Sequence, residues 1–330
     1  METRENIVYT DLDSSEISAW KYLLQNLTFE KINNQFEAYQ NTCLRYPTTF
    51  KRIENSINSL FNVQYLGHDF SPHFKHTITS EKGERIPDYF FRIRKREKGV
   101  YYDVDKENKL LPETIEFEDI QIWSDVWEKP ANLVNNYQRL SKPQDSVLYT
   151  SLMTSTALLE TNIKQGDLYF LIVYKSKRKI QYSDCCNFVY YNNLSEDENM
   201  KRYIIFEFLR NEFTRVLPST YDSENQYCAA ESISKKFFIS DDVDAIQYPS
   251  TRGIGHRNAA FLSTTVRDCL EFVGFRYCIM NSNNGNQSMN SVFADGFWNS
   301  NSKKFEYHSF DSDKSKLIFG DMLLSILITK

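Results

Sequence analysis

The period of the hydrophobic pattern changes along this chain, and any fold it adopts has to accommodate both regimes. From Asp13 to about Leu66 apolar residues recur at helical spacing, most clearly Phe50, Ile53, Ile57, Leu60 and Phe61, which form one stripe on a helix. Stretches around Trp20 and Phe36 behave in the same way. Past residue 85 the period shortens to two. In DYFFRIRK, Asp88 to Lys95, Phe91 and Ile93 fall on one face of a strand and Arg92 and Arg94 on the other. The expected organisation is a helical N-terminal extension, residues 1–84, and a strand-containing unit, residues 85–330. A boundary fits between Gly67 and Pro87, where His68, His73, His76, two prolines and the charged turn EKGER at 81–85 lie together.

Composition narrows the class. With 330 residues, 24 Phe and 21 Tyr against 10 Gly and 8 Pro, the chain can bury a sizeable core and has little of the make-up of a linker. A formal charge of −5 gives no general attraction to nucleic acid or anionic lipid, so neither is expected as a primary partner. The start METRENIVYTDLDSSE has no basic segment leading into an apolar one, and no run reaches the ~18 to 20 apolar residues of a membrane span. The expectation is a soluble, cytoplasmic protein. Its six scattered cysteines are expected to be reduced thiols.

Further along, VLYT (Val147 to Thr150) reads as a short strand, and SLMTSTALLETNIK as a helix entered through Ser151 or Thr154 as a cap. Tyr149 then ends a strand and Glu160 rides a helix. DLYFLIVYKS reads as a strand, MKRYIIFEFLRNEFTRV and AESISKKFF as helices, and DAIQYPS as a strand followed by the polar loop TRGIGHRN. The Asn/Ser-rich stretch NSNNGNQSMNS, residues 281–291, is expected to be an exposed loop. Routine motifs are weak. Gly253 and Gly255 lack the third glycine of a dinucleotide fingerprint, His73 and His76 lack a zinc-protease glutamate, and Cys185 and Cys186 are too close for a redox pair.

One series of segments stands above this background. FFRIRK, then FEDIQIW, then QRLSKPQDSVLYTSLMTSTALLE, then DAIQYPSTRGIGHRN together resemble the RES domain, a family named for an arginine, a glutamate and a serine. The resemblance spans about residues 85 to 262, leaving 263–330 as a strand-rich C-terminal extension. LYTS followed by TALLE is its most specific piece, and YPS followed by RN adds an independent match. By motif, Arg92 corresponds to the first arginine, with Arg94 as a weaker candidate beside it, Arg139 to the second, and Tyr149, Glu160 and Ser250 to the tyrosine, glutamate and serine. Where the family commonly has glycine before the second arginine and asparagine two places after it, this chain has Gln138 and Ser141. The resemblance implies an α+β fold like that of ADP-ribosyltransferase toxins, with a central β-sheet cleft and helices around it. It also implies NAD⁺ consumption by a toxin-like or bacterial-defence enzyme, commonly restrained in a toxin–antitoxin pair by a partner with an Xre-type helix-turn-helix. NAD⁺ is then a substrate; no further cofactor and no metal is called for, and an assembly of identical chains is left open.

These residue types suit that chemistry. Breaking the nicotinamide–ribose bond develops positive charge on the ribose carbon, which an ionised Glu160 can stabilise. Guanidinium groups of Arg92 and Arg139 match a pyrophosphate, Tyr149 offers a flat face and a hydroxyl, and Ser250 a hydrogen-bonding group at a strand end. Taken singly, each has an ordinary alternative: an exposed helical glutamate, an ion-paired arginine, a core tyrosine, a turn serine. The residues leave open whether water, phosphate or a macromolecule receives the ADP-ribose, and whether the unit is instead a noncatalytic nucleotide-binding or interaction module.

Overall fold

The computed structural model describes residues 7–11, 14–43, 48–65, 68–70, 73–74, 89–96, 120–215, 223–240, 242–283 and 288–327. In chain order these form β1 (Ile7–Thr10), α1 (Ser14–Asn26), α2 (Phe29–Cys43), α3 (Phe50–Ser59), β2 (Val63–Tyr65), β3 (His68–Phe70) and β4 (Tyr89–Lys95). There follow β5 (Val147–Ser151), α4 (Thr154–Glu160), β6 (Leu168–Ser176), β7 (Tyr182–Asp184), β8 (Phe188–Tyr191), α5 (Glu196–Thr214), α6 (Ser223–Phe237), β9 (Ala245–Pro249) and β10 (Arg257–Leu262). The chain closes with α7 (Val266–Cys269), β11 (Leu270–Asn283), β12 (Ser288–Asn299), β13 (Lys304–His308) and α8 (Asp313–Leu327). The expected boundary turn at 81–85, His76 and the first three residues of FEDIQIW lie outside the described residues.

The architecture is α+β. Nine strands make one open sheet in the order β13-β12-β11-β6-β4-β5-β10-β9-β7, antiparallel throughout except for the β7–β9 edge pair. The strand read from DLYFLIVYKS is β6, near the middle, paired to β4 on one side and β11 on the other, which is why its pattern is apolar with little alternation. β4 and β5 meet at a single register pair, Phe91 with Ser151, so the sheet splays there. That seam opens under α4.

The helical periodicity of the first part is realised as α1, α2 and α3. Ile53 and Ile57 are fully buried, and Thr49 caps α3 by accepting from the Arg52 N–H. These helices share one buried cluster with α5, α6 and the sheet: Trp20, Leu23, Ile53 and Phe61 pack in the same contiguous core as Phe206, Phe237, Ile246 and Tyr248. Lys236 of α6 reinforces the contact by reaching the carbonyls of Ile57, Asn58 and Leu60 at the end of α3, at 3.1, 2.7 and 2.8 Å.

Three local expectations are corrected. The helix after VLYT is capped by neither Ser151 nor Thr154: Ser151 ends β5 with its hydroxyl on Asn258, Thr154 is already helical, and Met153 sits at the N-cap without a side-chain bond. The helix read from MKRYIIF begins earlier, at Glu196, where Ser195 and Glu198 form a reciprocal capping box. The two flanks of the Asn/Ser-rich stretch are strand, since Asn281–Asn283 belong to β11 and Ser288–Ser291 to β12, while its centre, 284–287, lies outside the described residues. Asn281 donates across that hairpin to the Ser291 hydroxyl at 2.8 Å, so polar side chains on this part of the sheet pair with each other.

Candidate active site

Alternation along β5 sends Val147, Tyr149 and Ser151 to the helix-covered face and Leu148 to the other, and the antiparallel register extends that face sideways. Asn258 of β10 stands opposite Ser151, Ala260 opposite Tyr149, and Tyr248 of β9 opposite Asn258. Tyr149, Ser151, Asn258 and Tyr248 therefore share one surface. Leu152 and Met153 turn the chain from β5 into α4, whose Ala157 and Leu158 pack on Phe91 and Ile93 of β4. The helix stops after Glu160. Asn162 adopts a left-handed conformation, φ 51°, its N–H reaches Leu159 O, and the Ile163 N–H reaches Leu158 O, a reciprocal C-terminal closure with Ile163 and Leu158 in the same apolar cluster.

Glu160 is thus the last helical residue, half-buried, at the negative end of a helix, where a carboxylate needs compensation. Asn258 supplies it. This side chain is 2% exposed; its Nδ2 donates to Glu160 Oε1 at 2.7 Å, and its Oδ1 accepts from the Ser151 hydroxyl at 2.7 Å. The relay holds one carboxylate oxygen and leaves Oε2 for the cavity.

Two cavities meet at Glu160. One, about 400 Å³, is lined by Arg139, Tyr149, Glu160, Arg215, Tyr227 and Arg252 among others. The second, about 260 Å³, lies over the β4–β5 seam and shares Tyr149, Glu160 and Tyr248 with the first, adding Asn258, Ser151 and Arg92. The first volume lies within the roughly 300–1,000 Å³ of small-molecule sites and the second just below it.

Arg139 donates to the Phe213 carbonyl, and its guanidinium lies over the rings of Phe213 and Tyr227 at 5.9 and 5.8 Å. Its turn is closed by the two residues that depart from the family pattern: the Gln138 N–H bonds Ser141 O at 2.7 Å and the Ser141 hydroxyl reaches Gln138 Oε1. Tyr149 anchors this turn, because its hydroxyl accepts from the Leu140 N–H at 3.0 Å. Burial pushes the Tyr149 hydroxyl up to about 12, against the opposing pull of Ser141, Leu140 and Arg139, and burial likewise pushes Tyr248 up. Both are neutral phenols at neutral pH.

Arg92 and Arg94 share a face, as their spacing predicts, and that face is the one away from α4. Arg92 lines the seam cavity, but its guanidinium donates to the Trp127 carbonyl, on the side of the sheet that holds Phe90 and Tyr174; Arg94 reaches Asp125 O at 3.3 Å on the same side. Ser250 is not beside Glu160. It lines a third cavity of about 360 Å³, its hydroxyl accepting from the Arg252 N–H at 3.1 Å and its own N–H bonding His256 O. The third cavity touches the first at Thr251. Its loop is pinned to α4 through His256 Nδ1 and the Thr156 hydroxyl, 2.7 Å apart. A Cβ on Gly253 would come within 2.7 Å of the His256 ring, and Gly255 has φ 77°, so this tight loop requires both glycines.

Sequence reading assembled Arg139, Tyr149 and Glu160, which line one cavity, and missed the buried Asn258. The RN dipeptide that carries it and Glu160, 98 residues earlier, are both visible in the sequence; their pairing is not. Among the described residues no group of three or more His, Cys, Asp or Glu side chains is gathered as a metal site requires, and no helix is long and apolar enough to cross a membrane. No protein family, no curated protein and no solved structure is matched by this chain, so what the site does is argued from its own geometry and from the motifs it carries.

Proposed function

We propose that this chain is an NAD⁺ glycohydrolase, a toxin-like or defence-related NAD⁺-depleting enzyme of the RES type built on an ADP-ribosyltransferase-like sheet. The observation that carries the reading is that Glu160, oriented by Asn258, and Tyr149 stand where two cavities meet, with Arg139 lining the larger of the two. These are three of the residues at which the motifs coincide.

The reaction consumes NAD⁺ and water and yields nicotinamide, ADP-ribose and a proton. As the bond from ribose to the pyridinium nitrogen breaks, its electron pair leaves with nicotinamide and the ribose carbon becomes cationic. Glu160 faces that cation with Oε2, while the amide of Asn258 fixes the carboxylate by its other oxygen. Arg139 has donors beyond the one it gives Phe213 O, and a guanidinium fork suits the pyrophosphate. Tyr149 holds the Arg139 turn through Leu140 and lends its ring to both cavities, so its contribution is positional as well as direct. Arg92 braces β4 against Trp127 from the far face. Water is the simplest acceptor of the ADP-ribosyl group, and a macromolecular acceptor would use the same cation.

The test is chromatography of NAD⁺, nicotinamide and ADP-ribose after incubation with purified protein, with Glu160→Gln beside it at equal folded concentration. The expected result is stoichiometric nicotinamide and free ADP-ribose, reduced about 100- to 1,000-fold in the variant. Nicotinamide with ADP-ribose bound to protein assigns transfer in place of hydrolysis. No nicotinamide from folded wild type removes the proposal.

A further inference from the structure

The three cavities lie in a row. The seam cavity joins the Arg139 cavity at Glu160, and the Arg139 cavity joins the third at Thr251. A linear substrate with its scissile ribose at Glu160 and its pyrophosphate beside Arg139, Arg215 and Arg252 would extend its other end into the third cavity. That end of the row is built for charge. Its wall includes Arg210, Asn211, Ser250, Thr251, His256 and Arg257, and among the described residues no carboxylate lines it, in a protein of net charge −5.

Burial, with nearby Asp184, pushes the Cys186 thiol of that wall well up, and the charges of Arg257 and Arg210 both oppose this, so the two guanidinium groups act on one place. Each is steered by one partner. Arg210 pairs with Glu207 at 2.6 Å on the partly exposed side of α5, and Arg257 donates to Asn187 Oδ1 at 3.2 Å. Asn187 is held in turn by buried Asp184, at 2.6 Å. A guanidinium has five N–H donors, so these single contacts orient the two arginines and leave donors for a ligand. Two guanidinium forks, an amide and two hydroxyls around one pocket match a phosphomonoester better than a neutral ribose.

We propose that the third cavity is a phosphomonoester subsite, and that the substrate is a dinucleotide carrying a phosphate on the adenosine ribose, NADP⁺ in preference to NAD⁺. This rests on the proposed cleavage chemistry for the placement of the scissile end, but the subsite can be measured without cleavage.

The probe is adenosine 2′,5′-bisphosphate against adenosine 5′-monophosphate, neither of which has a nicotinamide bond, titrated calorimetrically into wild type, Arg210→Gln, Arg257→Gln and Glu160→Gln. Wild type and Glu160→Gln are expected to bind the bisphosphate about tenfold or more tighter, and each arginine variant to lose most of that difference. Arg210→Lys, which keeps the charge and loses the fork, is expected to fall between, and Arg210 on the exposed side of α5 decides the matter if Arg257→Gln does not fold. Equal binding of the two nucleotides by wild type, or a preference that survives Arg210→Gln, overturns the subsite. Turnover separates the two claims: nicotinamide released from NAD⁺ and NADP⁺ with equal kcat/KM keeps the cleavage and discards the subsite. A bisphosphate preference lost in Arg210→Gln, with no nicotinamide from either dinucleotide, keeps the subsite and discards the cleavage.

Discussion

An ionised carboxylate only accepts hydrogen bonds, so Asn258 must turn its nitrogen to Glu160, which leaves its oxygen for the Ser151 hydroxyl as donor. The chain of three side chains therefore has one consistent set of proton positions, running from the Ser151 hydroxyl through the Asn258 amide to Glu160 Oε1. A hydrogen bond to a charged group is worth about 1.5–3 kcal/mol, which corresponds to roughly ten- to a hundredfold in rate if it is made fully in the transition state. Asn258→Ala is expected to lower kcat for nicotinamide release by that factor with KM changed less than threefold. Asn258→Asp, which sets a second carboxylate against the first, should be lower still, and an unchanged kcat in Asn258→Ala would remove the positioning role. Residue types and order alone brought Glu160, Tyr149 and Arg139 to notice, because a short motif is local in sequence. The period-two alternation likewise paired Arg92 with Arg94 correctly. It could not say which face α4 would cover, since that is decided by Ala157 and Leu158 packing on Phe91 and Ile93, a contact between segments more than 60 residues apart.

At the level of elements, α4 shows how a helix end sets the place of the proposed catalytic carboxylate. Its length was over-read because TNIK continues a helical pattern; the break comes from Asn162, one of the few residues that enter the left-handed region at low cost. Asn162→Gly is expected to fold with stability within about 0.5 kcal/mol of wild type. Asn162→Val places a β-branched side chain at φ 51° and is expected to cost about 1–2 kcal/mol or more, read as a lower urea midpoint, together with reduced nicotinamide release because Glu160 would move with the frayed turn. A Val variant as stable as wild type would show that the turn does not hold the helix end. The start of α5 was legible in principle: Ser195 followed three residues later by Glu198 is a capping signature, overlooked because the apolar run begins only at Tyr203. The strand-rich character of 263–330 was legible, but the facing ends of β11 and β12, Asn281–Asn283 and Ser288–Ser291, were hidden by composition. Asn and Ser normally mark turns, but near the edge of a large antiparallel sheet their side chains can satisfy one another across the strands, as Asn281 and Ser291 do.

Across the molecule, the helical pattern of the first part, flanked by the short strands β1, β2 and β3, does not mark a separate core. Trp20, Leu23 and Ile53 are buried in the same cluster as Ile246, Ala260 and Tyr248, and Tyr248 lines both cavities that meet at Glu160. Local pattern reports how a segment folds and is silent about what it packs on, which is why the helical extension could be read and its docking could not. The buried clusters of the molecule also store protons. Tyr149 and Tyr174, ordinarily near 10, and Cys43, Cys228, Cys269 and Cys278, ordinarily near 9, are all pushed up to about 12, chiefly by burial. Their folded values lie above their unfolded ones, so the folded state binds more protons between pH 9 and 12, and the stability they contribute is complete below pH 9 and drains away as pH rises toward 12. The urea midpoint is expected to be level from pH 7 to 8.5 and to fall steadily from pH 9 to 11; a flat midpoint to pH 11 would contradict this burial. Finally, the sheet is continuous on paper through one rung, Phe91 with Ser151. Mechanically that makes two jaws, β13-β12-β11-β6-β4 and β5-β10-β9-β7, with Glu160 seated over the gap between them. A ligand lying across the gap would act as the stitch the backbone omits, so occupancy of the site and rigidity of the whole sheet become one variable.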